Sequence, residues 1–493
     1  MATGTARLNL SSLADDARLA FATLGDRATD IVNPTVRLGV TGLARAGKTV
    51  FITALVHNLV HGGRLPVFRS YATGRVTGAR LEPQPDDDVP RFDYEDHVRA
   101  LVEDRIWPDS TRRISELRLV IEYESASFLR QRLGAGTLNL DIVDYPGEWL
   151  LDLPLLAKNY ASWSSEAIAL ARRPGRPRAA AVFLARAEAL DPRAAEDETL
   201  ARELAALFTD YLRACRSDEH ALSTLPPGRF LMPGDLDGSP ALTFCPLPGD
   251  IANAPAGSLA RMMTRRFEAY KSVVVKPFFR DHFARLDRQI VLVDALNALN
   301  AGPAAVADLS TALTEILGSY RPGANSWLAS LFTRRIDRIL IGATKADHLH
   351  HADHDRLERI LGHLLAPAIG RAEAAGAQVE IAALASVRAT REGVVTAGGQ
   401  RLPSIIGTPL AGEVFDGETY DGRTEIAFFP GDLPKSPESA LEDVDSMSER
   451  AGSLRFVRFR PPALERTAEG IKLSLPHIRL DRALEFLIGD RLS

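Results

Sequence analysis

Residues 36–53 read VRLGVTGLARAGKTVFIT, and the fold follows from how that stretch is read. An apolar run from Val36 to Val40 leads into Gly42-Leu43-Ala44-Arg45-Ala46-Gly47-Lys48-Thr49, and the helix-compatible segment VFITALVHNL follows at once. Strand, glycine-bounded loop and helix are the context in which G-x-x-x-x-G-K-[ST] signifies a phosphate-binding loop. The chemistry demands these residue types. A nucleotide β-phosphate must sit among several backbone N–H groups at a helix N-terminus, where Cβ atoms obstruct the approach. Gly42 and Gly47 are expected to keep the loop open, with Ala44, Arg45, Ala46 and Val50 completing the nucleotide-binding set. Lys48 is expected to neutralise the β- and γ-phosphates, and the Thr49 hydroxyl to ligate Mg2+.

Composition narrows the class. A length of 493 residues suggests about three domain-sized units, or one nucleotide-binding core with large insertions. Hydrophobic content of 45% and charged content of 25% are those of a globular chain. The 59 basic and 64 acidic residues leave a net charge of −5, which gives no global reason to bind nucleic acid or anionic lipid. Cys215 and Cys245 are the only cysteines, too few for a disulfide framework and consistent with a reducing compartment. The first residues lack the basic start and apolar core of a signal peptide, and no apolar run reaches about 18 residues. A cytoplasmic protein is expected, with peripheral association at the inner membrane still compatible.

Residues 9–31 place Leu13, Ala17, Ala20, Phe21 and Leu24 at helical spacing behind a serine cap. Residues 63–110 read as irregular, with PQPDDDVP at 83–90. Strands are expected over Ile114–Tyr123 and Leu138–Val143, the second ending in Asp144-Tyr145-Pro146-Gly147-Glu148-Trp149. From about 150 to 285 long helical stretches broken by proline take over, including one helix expected over 179–215. The α/β alternation resumes with strands at Gln289–Val293, Ile336–Ala343 and Val379–Leu384 and helices at 304–318 and 354–370. Residues 393–462 read as β-rich, with TEIAFF and LRFVRF as apolar runs, and a last helix over 479–490 has Leu480, Leu484 and Leu487 on one face. The expected organisation is a core half at 1–150, a helical insertion at 151–285, the second core half at 286–392, a small β-rich unit at 393–470 and a C-terminal helix at 471–493. The expected class is therefore α/β, a P-loop nucleotide-binding fold on a mostly parallel sheet.

The remaining motifs fall at strand ends, where such a sheet binds its ligand. Asp144 would hold magnesium through water, and the Gly147 amide three residues on would reach the γ-phosphate. Thr344-Lys345-Ala346-Asp347 follows a buried strand, as a base-reading loop should. The Asp347 carboxylate would accept two hydrogen bonds from guanine, donors that adenine lacks in that arrangement. Lys345 would run its stem along the base or brace the phosphate loop. Ala385-Ser386-Val387 occupies the place where a backbone N–H meets the guanine carbonyl, with Ser386 and Val387 as the expected binding residues. Guanine nucleotide, GTP or GDP, with Mg2+ is the ligand these motifs imply together.

The motifs GLARAGKT, DYPGEW and TKAD, with FLMPGDLDGSPALTF, LVDALNALNAG and LASVRAT, resemble the YcjX family of bacterial stress-associated P-loop GTPases. The similarity covers nearly the whole chain from about residue 7. The resemblance implies a Ras-like core interrupted by a helical insertion and a second smaller domain, GTP and GDP binding with hydrolysis, and a connection to envelope stress responses.

Mechanistically, Glu148 stands where Ras-like proteins usually carry a water-orienting glutamine. It would accept from the attacking water, or repel the γ-phosphate, or turn into solvent. Ala44 replaces a glycine of fast Ras-like enzymes, so slow intrinsic turnover is expected. Arg45 would either place a guanidinium near the phosphates or point outward as a solvated charge. Thr111, with Ser110 as alternative, is the expected loop threonine on magnesium. Asp294 would buttress Asp144 or the phosphate loop, or simply end its strand. His348, His350, His351 and His354 match no standard zinc spacing and read as a solvated loop. The rival functions are a nucleotide-stabilised scaffold without turnover and an ATP-using enzyme, the latter weakened by TKAD. Beyond the nucleotide, an unidentified protein effector is the expected partner.

Overall fold

The computed structural model describes residues 34–492 apart from 44, 110–112, 126–135, 218–219, 250, 321–335, 398, 416, 435, 441–453, 455 and 465–473. The expected helix at 9–31, and Ala44, Ser110 and Thr111, lie outside the described residues.

Seven strands form the central sheet: β1 (Thr35–Gly42), β2 (Val76–Glu82), β3 (Ser115–Tyr123), β4 (Gly136–Asp144), β5 (Arg288–Val293), β6 (Arg338–Ala343) and β7 (Gln378–Ala383), in the order β2-β3-β4-β1-β5-β6-β7. The β4-β1-β5-β6-β7 part is parallel, while β3 runs antiparallel to β4 and to the edge strand β2. The fold class read from the sequence is the one observed. Along β5 alternate side chains serve the two faces, as a period of two requires. Ile290 and Leu292 pack with the helix α1 (Lys48–Val60), whereas Val291 and Val293 pack on the opposite side. Because both faces are covered, these strands are Val/Ile/Leu-rich rather than alternating with polar residues. Each such side chain removed from water contributes about 1.5–3 kcal/mol before entropy is counted.

Region 63–110, read as irregular, contains β2. Its residues are half-buried or exposed, so VTGARLE shows no apolar face for the eye to catch. The stretch 179–215, read as one helix, is two. After α2 (Tyr160–Ala171), α3 (Pro177–Glu188) stops before Pro192, and α4 (Glu198–Arg216) restarts where the Asp197 carboxylate accepts from the Thr199 and Leu200 amides. These helices and α5 (Leu259–Tyr270) share one apolar cluster with α6 (Ala295–Ala301), α7 (Pro303–Tyr320) and α8 (His354–Ala374) behind the sheet. The insertion is pinned to α7 by a buried bridge. Arg176, 1% exposed, meets Asp308 at 2.5 Å, and Asp308 also accepts from the Ser223 and Thr224 amides. Breaking one partner of such a bridge costs about 3–5 kcal/mol.

The β-rich unit holds β8 (Arg391–Ala397), β9 (Gln400–Gly407) and β12 (Ile426–Phe428) in one antiparallel sheet, and β10 (Val414–Phe415) with β11 (Glu418–Thr419) as a short hairpin. LRFVRF forms no strand element among the described residues, only a single bridge from Phe459 to Pro409. That bridge is flanked by the Leu410 amide on the Arg458 carbonyl and the Arg460 amide on the Thr408 carbonyl. The last helix, α9 (Leu480–Ile488), buries Leu480, Leu484 and Leu487 against the face that carries α1, and Asn58 of α1 donates to the Leu475 carbonyl. Among the described residues no helix is long and apolar enough to cross a membrane.

Candidate functional site

The loop after β1 closes on itself. Gly47 sits at φ 82°, a conformation L side chains rarely adopt, and there it opens α1. Lys48, 8% exposed, directs Nζ to the Gly42 carbonyl at 3.2 Å. Arg45 adopts φ 58° and is exposed at the loop apex, while Ala46 is buried beneath it and Val50 is half-buried on α1. Thr49, 6% exposed, donates its hydroxyl to the Asp109 carbonyl at 3.3 Å. Asp144 ends β4 in register with Val40 of β1 and is 1% exposed. Gly147 then lies directly on the phosphate loop, because a Cβ there would overlap the Gly42 carbonyl oxygen. The DYPG turn and the phosphate loop are therefore in backbone contact.

Gly147–Ala157 continues as 3-10 turns in which nearly every residue is buried. Helical insertion residues cover it. Glu148, 4% exposed, pairs with Arg216 at 3.2 Å instead of facing solvent. Trp149 donates its indole N–H to the Met232 carbonyl at 3.0 Å and lies under the Arg229 guanidinium, 3.1 Å from the ring centroid. Asp152 accepts from the Gly228 amide at 2.7 Å and the Tyr270 hydroxyl at 2.6 Å. Burial nonetheless pushes its carboxyl up to about 6.

The base-reading candidates lie two strands away, across roughly 10 Å of sheet. Thr344 donates both its amide and its hydroxyl to the Val293 carbonyl, which fixes the turn after β6. Lys345 is at φ 60° and its Nζ pairs with Asp294 at 2.5 Å; Asp294 also caps α6 through the Asn297 amide. Asp294 thus braces the base-side lysine, a role not among those read from sequence. Asp347, 5% exposed, accepts from the Ala389 amide at 2.9 Å through one carboxylate oxygen. The Ala385 amide is taken by the Ile478 carbonyl, and Ser386 and Val387 follow it, both buried. A cavity of about 390 Å3 brings Arg45, Glu148, Arg216, Asp294, Lys345 and Arg458 together, whereas Lys48, Thr49, Gly147 and Asp347 are not in its wall.

The donors at the phosphate end suit a hard divalent cation, since the Thr49 hydroxyl and the Asp144 carboxylate are oxygen ligands set beside the phosphate loop. The histidine run is divided by the fold. His354 bonds the Ala346 carbonyl at 2.9 Å and His348 packs on Phe459, so both support the base-reading turn. His350 and His351 meet Glu392 of β8, within 3.8 and 2.6 Å. The His350 Nδ1 accepts from the Ala352 amide, which leaves its proton on the nitrogen facing Glu392. Arg216, Gly228, Arg229 and Tyr270 had no signal in the sequence, because their relation to Glu148, Trp149 and Asp152 spans long separations and no motif.

Comparison with known proteins gives concordant matches. The model of the family described as YcjX-like family, DUF463, matches residues 36–492. A protein of Escherichia coli K12 named Ras-like GTPase YcjX is 40% identical over 474 residues, 94% of this chain and 97% of that protein. A protein of Shewanella oneidensis with the same name is 36% identical over 481 residues, 93% of this chain and 94% of its own.

Proposed function

The chain belongs to the YcjX-like family, and from that premise we propose that it binds GTP and GDP, hydrolyses GTP slowly and works as a molecular switch. The observation that supports the reading is the backbone contact of Gly147 with Gly42, since a γ-phosphate bonded to the Gly147 amide would then adjoin a loop that cradles the other two phosphates. Lys48 would leave the Gly42 carbonyl for the β- and γ-phosphates, and the phosphate loop amides would take the phosphate oxygens. Thr49 and Asp144 would hold Mg2+, which supplies charge neutralisation across the phosphates. Asp347 would present its remaining carboxylate oxygen to guanine, with Lys345 beside it. Glu148 would align the attacking water.

A second reading is a scaffold that binds nucleotide without turnover. It is favoured by the burial of Gly147–Ala157 under the insertion, which resists motion at the γ-phosphate. One experiment separates the two: GDP, GTP and ATP are titrated onto the purified protein and phosphate release is followed against Lys48→Ala. GTP-dependent release above that blank supports the switch; tight binding without release supports the scaffold; preference for ATP overturns the guanine reading. The link to bacterial stress, the intracellular and inner-membrane-peripheral location, and a protein effector reached through the insertion or the β-rich unit belong to the same proposal.

A further inference from the structure

Glu148 is gripped from two directions by the helical insertion. Its carboxylate lies 3.2 Å from the guanidinium of Arg216, in the last turn of α4, with side-chain exposures of 6% and 32%. Its main chain is pressed by Gly228, where a Cβ would overlap the Glu148 carbonyl oxygen. Side chain and backbone are thus both set by residues far along the chain. A carboxylate one position beyond the γ-phosphate sensor opposes a triphosphate electrostatically unless its charge is offset close by. Arginine offers a charge that cannot be lost and a planar fork that fixes the carboxylate's orientation. We infer that Arg216 is the positioning residue for Glu148: it offsets the carboxylate's charge and holds its rotamer, so that the insertion becomes part of the hydrolytic apparatus. This rests on the role proposed above for Glu148 in aligning water.

The test is a double-mutant cycle on full-length protein. GTP hydrolysis at saturating GTP, GDP affinity and thermal melting are measured for wild type, Arg216→Ala, Arg216→Lys, Glu148→Gln and both changes combined, with Lys48→Ala as the blank. Arg216→Ala is expected to lower kcat about tenfold or more with GDP affinity within about threefold, and Arg216→Lys to recover part of the loss. In the Glu148→Gln background the same change should cost less than about threefold, because glutamine carries no charge to offset. Equal losses in both backgrounds, or GDP affinity falling in step with kcat, would overturn the pairing. If Arg216→Ala melts early, Arg216→Lys with and without Glu148→Gln carries the same comparison. Wild-type hydrolysis no faster than the blank overturns the GTPase reading and this inference together; clear hydrolysis with additive losses overturns only the inference.

Discussion

At the phosphate end, Gly147–Ala157 is tied to the helical insertion through Arg216, Gly228, Met232 and Tyr270, whereas at the base end Thr344 and Ala346 are bonded to the neighbouring strands themselves. The turn proposed to read the base uses the Val293 and Leu384 carbonyls, and the following turn is locked to Ile478 beside the C-terminal helix. The first arrangement ties the turn to a stretch of chain inserted between β4 and β5; the second stays within the sheet and its connections. Under the proposed switch, a displacement at Gly147 would be delivered to the insertion, while the turn after β6 would be a fixed support against which that displacement is measured. Effector contact is accordingly expected on the insertion side.

Substitutions can break this contrast at graded strength. Lys48→Ala strikes the phosphate end hardest and should lower GTP hydrolysis on the order of a thousandfold, read by phosphate release. Asp347→Asn should cost about a hundredfold in GDP affinity and shift preference toward a xanthine nucleotide, whose C2 carbonyl accepts where guanine donates. Because the base end is internal to the core, the melting temperature of ligand-free Asp347→Asn should fall only where the Ala389 bond is lost. Gly147→Ala forces the DYPG turn off the Gly42 carbonyl and should slow hydrolysis about tenfold to thirtyfold, with GDP affinity within about threefold by calorimetry. A loss of GDP affinity as large as the loss of rate would erase the distinction between the two ends.

The smallest effect sharpens the contrast through pH. Burial raises the Asp152 carboxyl from 3.8 to about 6, so the folded state holds more protons than the unfolded one between those values. Its contribution to stability falls as pH rises through that window and is level above it. Asp152→Asn lacks this fall. Relative to wild type it should gain about 2 kcal/mol between pH 4 and pH 7 in urea melts, less than the full shift because the unfolded chain's carboxyl is already partly ionised at pH 4. No difference in slope between the two proteins would mean that Asp152 is not buried at the joint.

What could be read in the sequence was what is local. The phosphate loop, DYPG and TKAD each lie at a strand end, and continuous apolar runs marked the central strands because both of their faces are covered. β2 escaped because an exposed edge strand has no apolar face, and the break between α3 and α4 escaped because AAAVFLARAEAL reads smoothly up to Pro192. LRFVRF has strand composition, but among the described residues its pairing stops at the single bridge of Phe459 with Pro409, whose partner segment lies about 50 positions away and is invisible to composition. Arg216 and Glu148 are 68 positions apart on different elements, and nothing in the spacing of charges tells which arginine finds which carboxylate. The division of the histidine run followed the same rule, since Glu392 is 41 residues from His351.

The placement of β1 at the centre of the sheet also governs how the molecule is made. Its flanking contacts reach Asn139, 104 residues on, and Asp287, 250 residues on, and the insertion separates the two strands that enclose it. Contacts so distant in sequence make closure slow, and the anion cradle can mature only after β5 has left the ribosome. A nucleotide that binds the closed form alone then acts as a folding ligand, drawing late intermediates toward the finished sheet by mass action.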